Sequence, residues 1–337
     1  MRDWPPLGAG IWGAGAQSTW HLKAYSANPK CEIRAIGSRT EASAAAKREM
    51  IGADCPIYTD YEEFLNDPAI DVVSICTPAE NHAREGIIAA HAGKHLLVET
   101  PIATSLRDLH GLQAAVAAAG VKTVVSFVLR WHGLFVNAKT LIDAGAMGRV
   151  FYVQVDHWNT LWQWGVDGPW IYPQSAMLLS GSHAVDMARH LLGDDVKSVT
   201  AMGFDVNPDN PSQANTVTLL EFAGGAIGKV SCIAEGRRPY TFNVEVFGTQ
   251  GAFRNGRLYS ELTPAQSDWI QVPSSIPRSD RVVEPPMGQI DHLVDCILDD
   301  QESPVNVEHA VNTHEVCFAA ETSAMSGNVK IELPYAG

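Results

Sequence analysis

The stretch GAGIWGAGAQSTWH, residues 8–21, carries two overlapping glycine frames that could hold a phosphate. Gly8-x-Gly10-x-x-Gly13 matches the dinucleotide spacing literally, and Gly13-x-Gly15-x-x-Ser18 matches it with serine in the last place. In that spacing the first glycine ends a buried strand and the third lies inside the following helix. A frame starting at Gly8 leaves only WPPL for the strand, which its prolines disfavour. It also puts Ile11 and Trp12 in a loop that must wrap a pyrophosphate. A frame starting at Gly13 puts AGIW in the strand and STWHLKAY in the helix. Gly13, Gly15 and the amides of Ala16 and Gln17 then form the candidate cradle. A glycine turn without a ligand is the competing reading, and the place between strand and helix favours the dinucleotide.

Other residues could do chemistry around such a cofactor. The second strand ends Gly37-Ser38-Arg39-Thr40, with no carboxylate for a ribose 2′-hydroxyl. A serine hydroxyl and an arginine fork suit a 2′-phosphate, which favours NADP over NAD, although Arg39 could equally stack on adenine or face solvent. Glu99 closes the apolar run KHLLVETP, where open α/β sheets bind ligands. His183, in SGSHAVDMARHLLG, shares a helix face with Asp186, Met187, His190 and Leu191. It reads either as a proton carrier titrating near neutrality or as a satisfied core histidine. Trp158, Trp162, Trp164 and Trp170 crowd residues 156–172, where indoles could stack on a sugar, with His157, Asn159 and Asp167 bonding its hydroxyls. An oligomer contact or a self-anchored loop explains the same cluster. No metal-ligand spacing is recognisable; HxxDxxxH at His183, Asp186 and His190 reads more simply as one helix.

Positioning these residues requires two folding units. With 337 residues the chain exceeds one ordinary core, so two domains are expected. AGIW, CEIRAIGS, DVVSICTP and KHLLVETP alternate with helical segments, which implies right-handed parallel βαβ units. Residues 105–120 add a helix, and KTVVSFVL either completes that sheet or leaves it. Strands with short glycine turns follow, an antiparallel pattern. Late in the chain, Ile290, Leu293, Val294, Ile297 and Leu298 mark one helix, and 307–326 another. The expected fold class is α/β: an N-terminal doubly wound Rossmann sheet over 1–122, then an α/β domain with a large, mainly antiparallel open sheet over 123–337. A formal charge of −14 argues against nucleic acid and anionic membranes. Six dispersed cysteines, no signal-like start and no long apolar run lead to an expectation of a cytoplasmic protein with reduced thiols.

By VSICTPAENHAREGIIAAHAGKHLLVETPIATS the pattern resembles the glucose–fructose oxidoreductase and inositol dehydrogenase family, Gfo/Idh/MocA. The resemblance spans nearly the whole chain. It takes in Gly13-Ala14-Gly15, His21, Thr77-Pro78, Asn81-His82, AGKH before Glu99, Arg130 in FVLRWHG, DAGAMGRV and GSHAVDMARHLLG. It implies an open sheet that packs in oligomers, a homodimer or homotetramer here, and whose other face covers the nicotinamide. It also implies Thr77, Pro78, His82 and Arg130 on the cofactor side and Glu99 near the nicotinamide ribose. Arg130 could hold a substrate oxygen.

Two departures from the family matter. Members carry Glu-Lys-Pro where this chain reads Glu99-Thr100-Pro101, and the lysine helps move the hydroxyl proton. Thr100 can hydrogen-bond a substrate but cannot act as that cation. Members also place aspartate four residues before the later histidine, and here that place holds Leu179. The expected function is hydride transfer between NADP, or NAD, and a secondary alcohol or ketone of a neutral sugar, cyclitol or glycoside, with His183 as acid–base. Two alternatives remain: redox-neutral glycoside cleavage on a tightly held nucleotide, and a non-catalytic dinucleotide sensor.

Overall fold

The computed structural model describes residues 5–159, 174–207, 213–273 and 285–337. The chain divides into two compact units, the first running to Val128 and resuming over a late segment that ends at Val311.

In the first unit β1 (Leu7–Trp12) is followed by α1 (Ala16–Ala27), β2 (Cys31–Gly37), α2 (Glu41–Ile51), β3 (Ile57–Tyr58) and α3 (Tyr61–Asn66). Then come β4 (Val72–Ile75), α4 (Ala79–His91), β5 (His95–Val98), α5 (Leu106–Ala119) and β6 (Thr123–Val125). The six strands pair in parallel in the order β3-β2-β1-β4-β5-β6. This is the doubly wound order, with its switch point between β1 and β4. Because β1 runs through Gly8 and Gly10 to Trp12, only the frame starting at Gly13 has a turn to occupy. β6 pairs with β5 through Leu96↔Thr123 and completes this sheet. The boundary expected after residue 122 therefore cuts one strand too early, and the division falls after Val128.

The second unit contains α6 (Gly133–Asp143), β7 (Val150–Trp158), α7 (Ser182–Leu192), β8 (Val196–Phe204), β9 (Asn215–Phe222) and β10 (Ile227–Ile233). Next are β11 (Thr241–Gly248), β12 (Gly251–Arg254), β13 (Arg257–Ser260) and β14 (Ile270–Gln271). α8 (Pro285–Leu298) belongs to the first unit and is tied to α1 by Asn28 Nδ2 donating to Asp291 Oδ1 at 2.9 Å. α9 (Val307–Met325) contributes its first residues to the first unit and its later turns to the second, and β15 (Ile331–Glu332) follows. The second sheet has nine strands in the order β14-β13-β12-β11-β7-β10-β9-β8-β15, antiparallel except for β7 with β10. Alternation along β7 sends Val153, Val155 and His157 to the face that α7 covers. Met202 and Leu219 lie on the other face, 62% and 55% exposed.

Among the described residues no helix is long and apolar enough to cross a membrane.

Candidate active site

The glycine turn explains its own composition. Gly13 has φ +104°, and a Cβ there would lie 2.5 Å from the Cys76 carbonyl oxygen at the end of β4. Packing inside the chain therefore requires that glycine. Gly15 differs: its φ is −75°, and among the described residues a Cβ would meet no atom closer than 3.9 Å. Among the described residues nothing demands a glycine there, so the open space suits a close-approaching ligand. Gly15, Ala16 and Gln17 are exposed. No side chain caps the start of α1, and its first turn holds no acid. Ser18 is fully buried and donates its hydroxyl to the Gly15 carbonyl at 2.8 Å, so serine serves in the last motif position. An uncapped helix start beneath open space is what a diphosphate needs.

The ends of the neighbouring strands come together around this turn. Thr77 Oγ1 donates to Glu85 Oε2, which also receives support through Oε1 from Trp12 Nε1 at 3.1 Å. Burial pushes the Glu85 carboxyl up, against these bonds. His82 sits with Nδ1 2.8 Å from the Pro101 carbonyl and Nε2 2.7 Å from the Thr77 carbonyl. Both ring nitrogens are thus engaged by the chain. His82, expected to contact cofactor, instead ties the loop after β4 to the loop after β5. Pro78 is the exposed residue at the start of α4. At the end of β2, Ser38 is buried and Arg39 exposed, with no described residue as its ion-pair partner.

Glu99, just beyond β5, is held by three donors. His21 Nε2 reaches Oε1 at 2.7 Å, Ser126 Oγ reaches the same oxygen at 2.9 Å, and the Thr100 amide lies 3.3 Å from Oε2. Burial works against a charged His21 ring, yet the Cys76 sulfur and the Glu99 carboxylate push its pKa up to about 10. Burial likewise opposes the Glu99 charge, and His21 and Ser126 reverse that, holding it below the usual carboxylate range. His21 was legible as a motif residue but not as the partner of Glu99, because the two lie 78 residues apart.

In the second unit, a π-helical turn over Met177–Gly181 leads directly into α7, with His183 half-buried in its first turn. Such turns shift the helical register by one residue. The family's aspartate offset then reaches Leu178 or Leu179, and neither register supplies a carboxylate. His157, on β7, lies edge-on to His183 with ring centroids 5.9 Å apart. Its Nδ1–H donates to the Ser180 carbonyl at 2.7 Å, and burial together with His183 lowers its pKa to about 3. His157 is therefore a neutral, fixed neighbour of His183. Arg130 forks onto Asp186, Nε to Oδ2 at 2.8 Å and Nη2 to Oδ1 at 2.6 Å. The expected cofactor and substrate contact is thereby committed, along that edge, to anchoring α7. Burial, with Arg130 nearby, lowers the His190 pKa to about 4.

Trp158 requires a correction as a substrate contact. It neighbours His157 in β7 and so projects from the opposite face. There its Nε1 donates to Ser231 Oγ at 2.9 Å and the Arg238 guanidinium lies 4.0 Å over its ring. It completes a network in which Asp156, buried, is bonded by Ser231, by Gln154 at 2.9 Å and by Lys229 at 2.7 Å. Trp162 and Trp164 lie outside the described residues, as does Asp167. Among the described residues no group of three or more His, Cys, Asp or Glu could hold a metal ion.

Residues 7–127 match the oxidoreductase family with an NAD-binding Rossmann fold, and residues 135–254 match the GFO/IDH/MocA C-terminal domain. The chain is 28% identical to a scyllo-inositol 2-dehydrogenase (NAD(+)) of Bacillus subtilis over 94% of each protein. It is 30% identical to an inositol 2-dehydrogenase of Rhizobium meliloti over 72% of this chain and 73% of that one. The fold is shared with a scyllo-inositol dehydrogenase from Lactobacillus casei, solved with bound NAD(H) and scyllo-inositol. The TM-score is 0.81 at 17% identity, covering 98% of this chain and 100% of that one.

Proposed function

This chain belongs to the Gfo/Idh/MocA family of oxidoreductases, and we propose that it interconverts a secondary alcohol and a ketone on a neutral sugar, cyclitol or glycoside. The observation that carries this reading is the start of α1, uncapped and overlain at Gly15 by space that no described residue fills. When bound, the nicotinamide supplies the hydride acceptor or donor. The amides of Ala16 and Gln17 hold the diphosphate. Ser38 and Arg39 take a 2′-phosphate, so NADP is the preferred cofactor and NAD the lesser one. Thr77 and Pro78 line the same crevice. Glu99 presents Oε2 to a ribose hydroxyl, because Oε1 is already shared by His21 and Ser126.

Thr100 hydrogen-bonds the substrate hydroxyl in place of the family lysine. His183 takes the hydroxyl proton in oxidation and returns it in reduction. Its support is the neutral His157 beside it, which adds no competing charge. The open face of the second sheet, with Met202 and Leu219 outermost, joins copies of the chain into a dimer or tetramer.

The test is purified protein with either cofactor and a panel of polyols, glycosides and ketones, followed by the absorbance of reduced nicotinamide. Turnover is expected in the wild type. His183→Ala should lower kcat by about 10²–10⁴-fold while leaving dinucleotide affinity in place. Turnover equal to wild type in that variant removes His183 from the chemistry.

A further inference from the structure

The first unit carries a half-buried cation that the mechanism above does not use. Lys47, on α2, donates Nζ to Thr19 Oγ1 at 2.5 Å, and among the described residues no Asp or Glu pairs with it. Burial pulls its ammonium below the ordinary lysine range. A lysine held partly out of water without a counter-charge is unfavourable unless an anion completes the site.

Its position says which anion. Thr19 is the fourth residue of α1, one turn below the exposed amides of Gly15, Ala16 and Gln17. On α2, the helix cap Thr40 and then Ser43 and Lys47 follow at helical spacing along one side. Helical side chains lean toward their own N-terminus, and that end of α2 begins at Thr40, next to Ser38 and Arg39 at the end of β2. β2 flanks β1 on the side away from β4. A dinucleotide laid across the β1/β4 switch point keeps its adenosine ribose on that β2 side.

We propose that Lys47 is a specificity-determining residue that swings from Thr19 onto the 2′-phosphate of NADP, completing a site with Ser38 and Arg39. The proposal rests on the NADP reading above and adds to it a cation from a different element. With the diphosphate held at the α1 start, as proposed above, Lys47 would discriminate by the 2′ substituent.

Titration calorimetry on the full chain with 2′,5′-ADP and 5′-ADP tests this. Lys47→Met should raise the Kd for 2′,5′-ADP about tenfold relative to that for 5′-ADP, the scale of one charge-assisted hydrogen bond. Lys47→Arg should recover most of the ratio. Lys47→Gln keeps a donor for Thr19 and guards against a packing defect, and it should shift the ratio as methionine does. Equal weakening of both ligands, or an unchanged ratio, overturns the proposal. Wild-type preference for NAD+ over NADP+ would defeat the cofactor reading alone, because the variant ratio is measured independently of that preference.

Discussion

Two glycines two residues apart have different causes, and mutation should separate them. Gly13 is required by a positive φ and by a carbonyl 2.5 Å from its would-be Cβ. Gly13→Ala is expected to cost about 1–3 kcal/mol in a denaturant melt. Gly15 has an ordinary φ and open space, so Gly15→Ala should leave Tm unchanged and weaken dinucleotide binding about tenfold. A stable Gly13→Ala, or a Gly15→Ala that binds as wild type, would contradict the assignment. At the same scale, the partners of Arg130 and Trp158 come from far along the chain. An arginine and a tryptophan near a family motif invite a ligand role, but Asp186 lies 56 residues from Arg130 and Ser231 lies 73 from Trp158. Neither partner is visible from local spacing.

Helices and strands were more legible than their partners. The glycine turn, the cap Thr40 before α2, and the glycines closing α2, α5 and α7 mark boundaries by local rules. Less local is the start of α9, where the Val307 amide donates 3.0 Å to Thr123 Oγ1 on β6, with both residues buried. Thr123→Val keeps the shape of the side chain and removes the acceptor. The orphaned amide should cost about 1–3 kcal/mol, read as a lower denaturation midpoint at unchanged slope. Stability equal to wild type would show that α9 is held by packing alone. The π turn before His183 belongs here too. Sequence numbering counts four residues back to Leu179, whereas the extra residue in that turn decides which side chain shares the histidine's face.

For the assembled molecule, the second sheet is the informative part. Its inner face is filled by residues such as Val153, Val155, Val230 and Val244, fully buried, while the outer face leaves large apolar side chains in water. The self-association surface proposed above would account for that asymmetry. Met202→Lys with Leu219→Lys should shift sedimentation to the monomer mass with an unchanged circular dichroism spectrum. An unchanged assembly would place the contact elsewhere on the chain. With a net charge of −14, such copies repel at long range, so association should strengthen with added salt.

The amino-acid sequence alone determined the alternation of the main strands and helices in the first unit, the doubly wound first sheet, the glycine frame that falls in the turn after β1 and the absence of a lysine after Glu99. Each follows from short-range patterns: apolar periodicity, turn residues and motif spacing. Tertiary structure decided what those residues touch. It set His21 and Ser126 on Glu99, both ring nitrogens of His82 on carbonyls, Arg130 on Asp186, and Trp158 on the face away from His183. The reason is physical. A side chain's periodicity shows which residues share a face, but which face is covered, and which distant donor meets which acceptor, depends on packing between segments tens of residues apart.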